Sequence, residues 1–386
     1  MIVSGRDCFG CGACAAFCPH EAISMQRNHA GFLMPVLQET HCTQCGFCSR
    51  ICPLEWAPRF QAPLAAYAGW SRDDAVRRRC SSGGIACELS RLLLARGFRV
   101  CAVAYSPETR IARHELAGSS EELERFCGSK YLQSHTVAAF QQLKAPGRFL
   151  VVGTPCQIAA LRLYLRAKRR EEDFILVDFF CHGVPSAALW EKYLDLREHD
   201  MPGRVQDVQW RCKDSGWHDS WNIRMQFDHG NGATTIRNFR KSDGDIFYRM
   251  FLGNFCQAPA CYDSCRFKAC SSEADIRLGD LWGQKYAVEQ QGVSGILAMT
   301  PRGQEVLSQL SSCQIHEVPL AIVQEEQMRH RAIRPWGSRL TMWLLQSRCS
   351  LKTSCRIIVN FNRFMTLPQR AVRRLGRRCR KTTRTK

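Results

Sequence analysis

Residues 8–19 read CFGCGACAAFCP and residues 42–53 read CTQCGFCSRICP. Each places three cysteines two residues apart, a fourth after three more residues, and then a proline. Three thiolates at this spacing can wrap a loop around one face of an iron–sulfur cube, with backbone N–H groups turned toward its sulfides. Gly10, Gly12 and Gly46 allow the tight turn. The fourth cysteine opens a short helix toward the other cube, and the proline ends it. The interleaved pattern assigns Cys8, Cys11, Cys14 and Cys52 to one [4Fe-4S] cluster, and Cys42, Cys45, Cys48 and Cys18 to a second. Zinc takes four ligands and gives no reason for eight cysteines with two Cys-Pro endings.

The same spacing marks bacterial two-cluster ferredoxins and predicts an α+β ferredoxin-like module over residues 1–55. Sharing ligands ties the two repeats together, which a unit this small needs. Residues 54–66, with two prolines, read as a linker. The chain has 23 cysteines in 386 residues and starts MIVSGRDCFG, without a basic-then-apolar leader. A disulfide framework is therefore not expected, and reduced, metal-binding thiols in a cytoplasmic protein are. The longest apolar runs, such as FILV at 174–177, fall far short of the ~20 residues of a spanning helix.

Beyond the linker, residues 67–325 alternate between strand and helix patterns. Strands are predicted at 65–70, 98–105, 148–152 and 174–180, and helices at 85–95, 121–143, 156–168 and 186–198. Such alternation implies an α/β domain with a mainly parallel sheet. Residues 204–240 change to short alternating strands with Gly-rich turns, an antiparallel insertion. Small residues punctuate the strand–helix junctions: SSGG (81–84), GTPC (153–156) and CHG (181–183). Open α/β sheets bind ligands at this edge, where helix N-termini present free N–H groups. Taken singly, Ser-Ser-Gly-Gly is more often an N-cap and a turn than a binding site.

The order of motifs resembles the beta-subunit family of coenzyme F420 hydrogenases and dehydrogenases. The resemblance spans nearly all of residues 1–300. It rests on the doubled cysteine run, GFLMP (31–35), CSSGGIACELSRLLLARG (80–97), GSKYLQS (128–134), VVGTPCQIAALR (151–162), FFCHGVPS (179–186), RCKDSGW (211–217) and ADIRLGDLWG (274–283). It implies a flavoprotein oxidoreductase passing electrons between FAD and iron–sulfur clusters. It also implies relatives that reduce a deazaflavin or chlorophyll intermediates, and bacterial relatives linked with surface-polysaccharide synthesis. Carried over by residue, Ser81, Ser82, Gly83 and Gly84, then Gly128, Ser129, Lys130 and Tyr131, then Gly153, Thr154, Pro155 and Cys156 would line the flavin or its substrate. Lys130 could supply a cation to a pyrophosphate.

Cys256, Cys261, Cys265 and Cys270 fall within fifteen residues. The family places a cysteine pair here, and some members build a third [4Fe-4S] cluster from it. The pair in this chain is Cys261-x3-Cys265, wider than CxxC, with Cys156 and Cys181 able to complete a ligand set. Buried apolar thiols are the competing reading. Trp210, Trp217, Trp221 and Trp282 could stack on a ring or fill a core. His182 could give a proton or sit satisfied in the core.

The net charge of +19 is uneven. Residues 327–386 carry 17 Lys and Arg and no acid, leaving 37 basic against 35 acidic residues in 1–326. The segment 327–386 is therefore read as a basic helical tail, with helix over 338–366 and a basic run after Pro368. Peripheral contact with an anionic membrane at its inner face competes with a docked helix and a solvated end. Nucleic acid is not expected, because no recognition motif accompanies the charge. Two functions remain: a redox enzyme with a redox partner protein or small-molecule electron acceptor, or a non-catalytic electron-transfer subunit or adaptor.

Overall fold

The computed structural model describes residues 7–56, 62–230, 232–327 and 329–366. In the N-terminal module, β1 (Ile23–Arg27) and β2 (Leu33–Leu37) form an antiparallel pair with Ile23 opposite Leu37. Two helical turns, Ala13–Ala16 and Phe47–Arg50, are each entered through a left-handed glycine, Gly12 at φ 77° and Gly46 at φ 70°. The glycines turn as expected, but each helical turn holds the third cysteine, Cys14 or Cys48, and ends before the fourth, so Cys18 and Cys52 follow a short helix rather than open one. Phe17 stacks on Tyr164 with ring centroids 3.6 Å apart and anchors the module on the larger domain.

That domain contains an eight-stranded sheet. Its strands are β3 (Ala65–Ser71), β4 (Phe98–Ser106), β5 (Ile111–Ala117), β6 (Arg148–Val152), β7 (Phe174–Phe179), β11 (Ile276–Asp280), β12 (Ser294–Ala298) and β13 (Cys313–Glu317). They lie in the order β13-β3-β12-β11-β7-β6-β4-β5. The centre, β11-β7-β6-β4, is parallel, and antiparallel strands extend it on both sides. The run FILVD on β7 is buried throughout, as expected of a parallel strand covered on both faces. The insertion forms a separate antiparallel sheet of β8 (Arg204–Trp210), β9 (Asn222–Asp228) and β10 (Thr234–Arg240).

Helix Ile85–Ala95 forms over the predicted residues. The helix predicted over 121–143 does not. A 3-10 turn covers Glu121–Phe126, and an α-helix only Val137–Gln142. Between them Gly128 takes φ +76° and breaks the helix. The chain then pairs with β5, His135 N donating to Ala112 O at 2.9 Å and His114 N to His135 O at 2.8 Å. This isolated bridge to β5 was not anticipated.

Helices Ser338–Gln346 and Leu351–Met365 form where helix was predicted, but they are not a separate tail. Leu344, Leu345, Leu351, Cys355 and Ile358 join a core with Trp190, Tyr193, Phe247 and Phe251. The basic run after residue 366 lies outside the described residues. No described helix is long and apolar enough to cross a membrane.

One buried ion pair locks the parallel centre. Arg277 on β11 lies opposite Asp178 on β7. Its Nε and Nη2 each donate at 2.7 Å to one carboxylate oxygen, and both side chains are fully buried. Ser272 Oγ also donates to Asp178, and Arg277 Nη1 to Ala269 O, so the pair fixes the segment entering β11. Asp178→Ala would strand the guanidinium and is expected to cost about 3–5 kcal/mol. Anaerobic denaturant titration followed by tryptophan fluorescence checks this; an unshifted midpoint would deny the pair that role.

Candidate redox site

The carboxyl ends of β3, β6, β7 and β11 share one sheet edge, because β3 and the parallel centre run in the same direction. From this edge leave the segments 80–84, 153–156, 180–183 and 280–283. Residues 127–135 reach it from the side. Ser129 N and Oγ both bond Ser81 Oγ, at 2.8 and 2.9 Å, joining SSGG to GSKY.

The N-terminal module is seated beside the same edge. Gln133 accepts from Leu33 N at 2.8 Å and donates to Phe9 O at 3.3 Å. Thr136 Oγ1 donates to Cys11 O at 2.8 Å, and Ser186 Oγ to Ala30 O at 2.7 Å.

Cys8, Cys11, Cys14 and Cys52 line one pocket, with Cys48 at its side. Burial pushes the Cys8, Cys11 and Cys52 thiols up and Cys14 to about 12, with neighbouring cysteines adding to the rise in each. Such thiols keep their protons unless a metal's positive charge replaces them. Cys42 and Cys48 pack with Cys18 in an adjoining cluster, and Cys45 is exposed. Cys48 also lines the first pocket and Cys14 also packs with Cys18, so the two groups adjoin without a sharp division, and cysteines gathered this closely fit two clusters.

A third group stands between the module and the sheet. Cys156, Cys181, Cys261 and Cys265 line one pocket, together with Phe9 and Lys268. Burial raises Cys156 well above its ordinary value, and Cys181, Cys261 and Cys265 add to the rise. Cys156 in turn raises Cys11, so this group adjoins the first cluster's ligands. Lys268 Nζ donates to Cys181 O at 2.6 Å. Cys256 instead packs in the core of the inserted sheet, and Cys270 accepts from Gln324 Nε2 at 2.8 Å. The two cysteines at strand ends thus join the x3-spaced pair, and the wider spacing does not keep that pair from the group.

The residues expected at a flavin divide by environment. Gly84 begins helix Ile85–Ala95 in a left-handed conformation, and no side chain caps that helix. Its N-terminus suits an anion. The helix after GTPC is already closed: Thr154 N donates to Gln157 Oε1 at 2.9 Å and Pro155 sits at its first position. A Cβ on Gly83 would fall 2.3 Å from Gly69 O, so this glycine serves helix–sheet packing, whereas Gly128 faces open space. Lys130 Nζ donates to the carbonyls of Arg125, Cys127 and Gly128, and burial lowers it to about 8. Its ammonium is committed to backbone rather than directed outward.

Tyr131 meets a residue the sequence reading gave no role. Arg211 Nη1 donates to Tyr131 Oη at 3.2 Å and to Asp280 at 2.8 Å, and the guanidinium lies between the Trp221 and Trp282 rings. Burial opposes its charge, but Asp280 and Tyr131 outweigh burial and raise its pKa. Asp280 Oδ1 is buried without a hydrogen-bond partner beside it. The RCKDSGW motif was the only signal for this cation. Trp210 and Trp217 are core residues. His182 donates to Phe251 O at 3.3 Å, and burial with nearby Lys268 lowers it to about 4, which fits the satisfied-core reading.

Three family descriptions match the chain. Two describe the beta subunit of coenzyme F420 hydrogenase/dehydrogenase: the one for its C-terminal part covers residues 147–321, and the one for its N-terminal part covers 66–141. The third, "4Fe-4S dicluster domain", covers 7–55. Among solved structures, a chain of the F420-reducing [NiFe] hydrogenase complex from Methanosarcina barkeri is similar at 15% identity. The match covers 80% of this chain and 92% of that one, with a TM-score of 0.47. No curated protein matches.

Proposed function

Because this chain belongs to the family of coenzyme F420 hydrogenase and dehydrogenase beta subunits and carries a 4Fe-4S dicluster domain, we propose that it is an iron–sulfur flavoprotein oxidoreductase. Cys156, Cys181, Cys261 and Cys265 would hold a third [4Fe-4S] cluster, and FAD would bind at the edge formed by SSGG and GSKY. The observation that carries this reading is the unbroken succession of cysteine groups, with Cys11 of the module beside Cys156 at the sheet edge. When bound, the clusters supply one-electron transfer and a flavin couples it to a two-electron step.

The chain's own residues set the conditions. Phe9 and Phe267, with centroids 5.9 Å apart, pack with Cys156 and Cys265 and exclude water from that group. Lys268 places a positive charge beside Cys181, which favours a more negative, reduced state. The uncapped N-terminus at Gly84 offers N–H groups to a phosphate. A redox partner protein or small electron acceptor completes the path. We place the protein's contact with anionic lipid at its C-terminal helices, where Trp343 (64% exposed) and Phe364 (69%) stand among basic residues.

Iron, sulfide and flavin should be measured in one anaerobic preparation. About twelve irons and one acid-released flavin per chain are expected. Iron without flavin would leave a non-catalytic carrier, and zinc in the module would defeat the assignment altogether.

A further inference from the structure

Three thiols outside the succession above meet beside the Ser81–Ser129 contact. Cys80 follows helix Asp74–Arg79, Cys87 lies in the first turn of Ile85–Ala95, and Cys127 follows the 3-10 turn Glu121–Phe126. Their Sγ atoms all lie within 4.8 Å of one another, with Cys87 and Cys127 3.8 Å apart. Tetrahedral thiolates on one zinc, at Zn–S distances of about 2.3 Å, stand about 3.8 Å apart. Thiolates on the separate irons of a cube stand farther apart. Among the described residues this is the one group of three ligand atoms drawn so tightly.

The surroundings suit an anionic metal–thiolate centre. Arg79 and Lys130 lie near Cys127, Arg91 near Cys87, and Lys213 near Cys80. A divalent ion with three thiolates carries one net negative charge, set here among four cations.

We propose that Cys80, Cys87 and Cys127 bind one zinc ion, distinct from the iron–sulfur clusters, with a water at its fourth position. Soft thiolates select copper(I), zinc or iron–sulfur. The spacing is too tight for a cube, and zinc needs no redox change. Binding sends the remaining thiol protons to solvent. The ion would tie Cys80, next to Ser81, to Cys127, next to Gly128, and so clamp the two segments whose hydroxyls meet.

The test uses full-length protein prepared anaerobically, with zinc, copper and iron determined together and thiols counted. About one zinc per chain is expected. Cys87→Ser and Cys127→Ser should each drop zinc below about a tenth per chain while iron stays unchanged. Cys313→Ser, altering a buried neighbour of Cys87, should keep the zinc. Cobalt(II) added to zinc-depleted wild type should give a thiolate-to-metal charge-transfer band, which needs no variant to fold. Zinc retained in both trio variants would overturn the proposal. So would copper in its place, iron lost with the trio, or a wild type that takes up neither zinc nor cobalt.

Discussion

Serine in place of Cys261 is expected to lower iron from about twelve to about eight atoms per chain and to leave the module's two clusters intact. The expectation follows from separation. Cys261 shares its cavity with Cys156, Cys181 and Cys265, and none of the module's eight cysteines lines it. Cys265→Ser should act alike. Cys256→Ser removes a thiol only five residues away in sequence, but one packed in another core, and should keep all the iron. Low-temperature EPR of the dithionite-reduced protein should lose one signal set in the first two variants and none in the third. A wild type with only eight irons would reject the third cluster, and so would equal loss in all three variants. Bound flavin should remain in Cys261→Ser but become slow to reduce through the module, since the group beside Cys11 would be gone.

The sequence was most legible where structure is decided locally. Cysteines two residues apart favour a loop around a cube whatever surrounds them, so the dicluster module could be read directly. Helix Ile85–Ala95 ends where Gly97 predicts, and the FILVD run announces a buried parallel strand. The convergence of Cys156 and Cys181 was half legible. Each follows a strand, and β6 and β7 proved to be neighbours, so their exits had to be adjacent. What the sequence could not order was the meeting of His135 with β5, through Ala112 and His114. In place of the helical pattern at 121–143, the chain reaches this contact by a path on which Ser129 meets Ser81 and Cys127 meets Cys80 and Cys87. Arg211 was hidden for a similar reason. Its left-handed backbone (φ 62°) and its place between two tryptophans depend on the inserted sheet meeting β11.

Ending the chain after residue 326 is expected to abolish soluble, coloured protein, whereas ending it after residue 366 should not. The sixty residues carry most of the net charge, which suggested a detachable tail, but the helices Ser338–Gln346 and Leu351–Met365 belong to the body. Leu344, Leu345, Leu351 and Ile358 are at most 4% exposed. Four such side chains contribute on the order of 6–12 kcal/mol. That is comparable with the whole net stability of about 5–15 kcal/mol typical of a domain. Lys192 would also lose both carbonyls it donates to at 2.8 Å, those of Ser347 and Cys349. The core thus exposed includes Trp190, Tyr193 and Phe251. His182, next to the third group's Cys181, packs its ring against Phe251 at a tilt, with centroids 4.9 Å apart, so the damage should reach the clusters. Ending after 366 removes only the final basic run and should leave iron content and melting temperature unchanged. It should weaken sedimentation with anionic vesicles, most clearly at low salt, because at 0.15 M ionic strength the Debye length is only ~8 Å. Part of the binding should persist through Trp343 and Phe364, which remain in that protein and whose contribution salt does not screen. A soluble, fully coloured 1–326 protein would show the two helices to be dispensable to the fold. Equal sedimentation with neutral and anionic vesicles would remove the electrostatic part of the membrane contact.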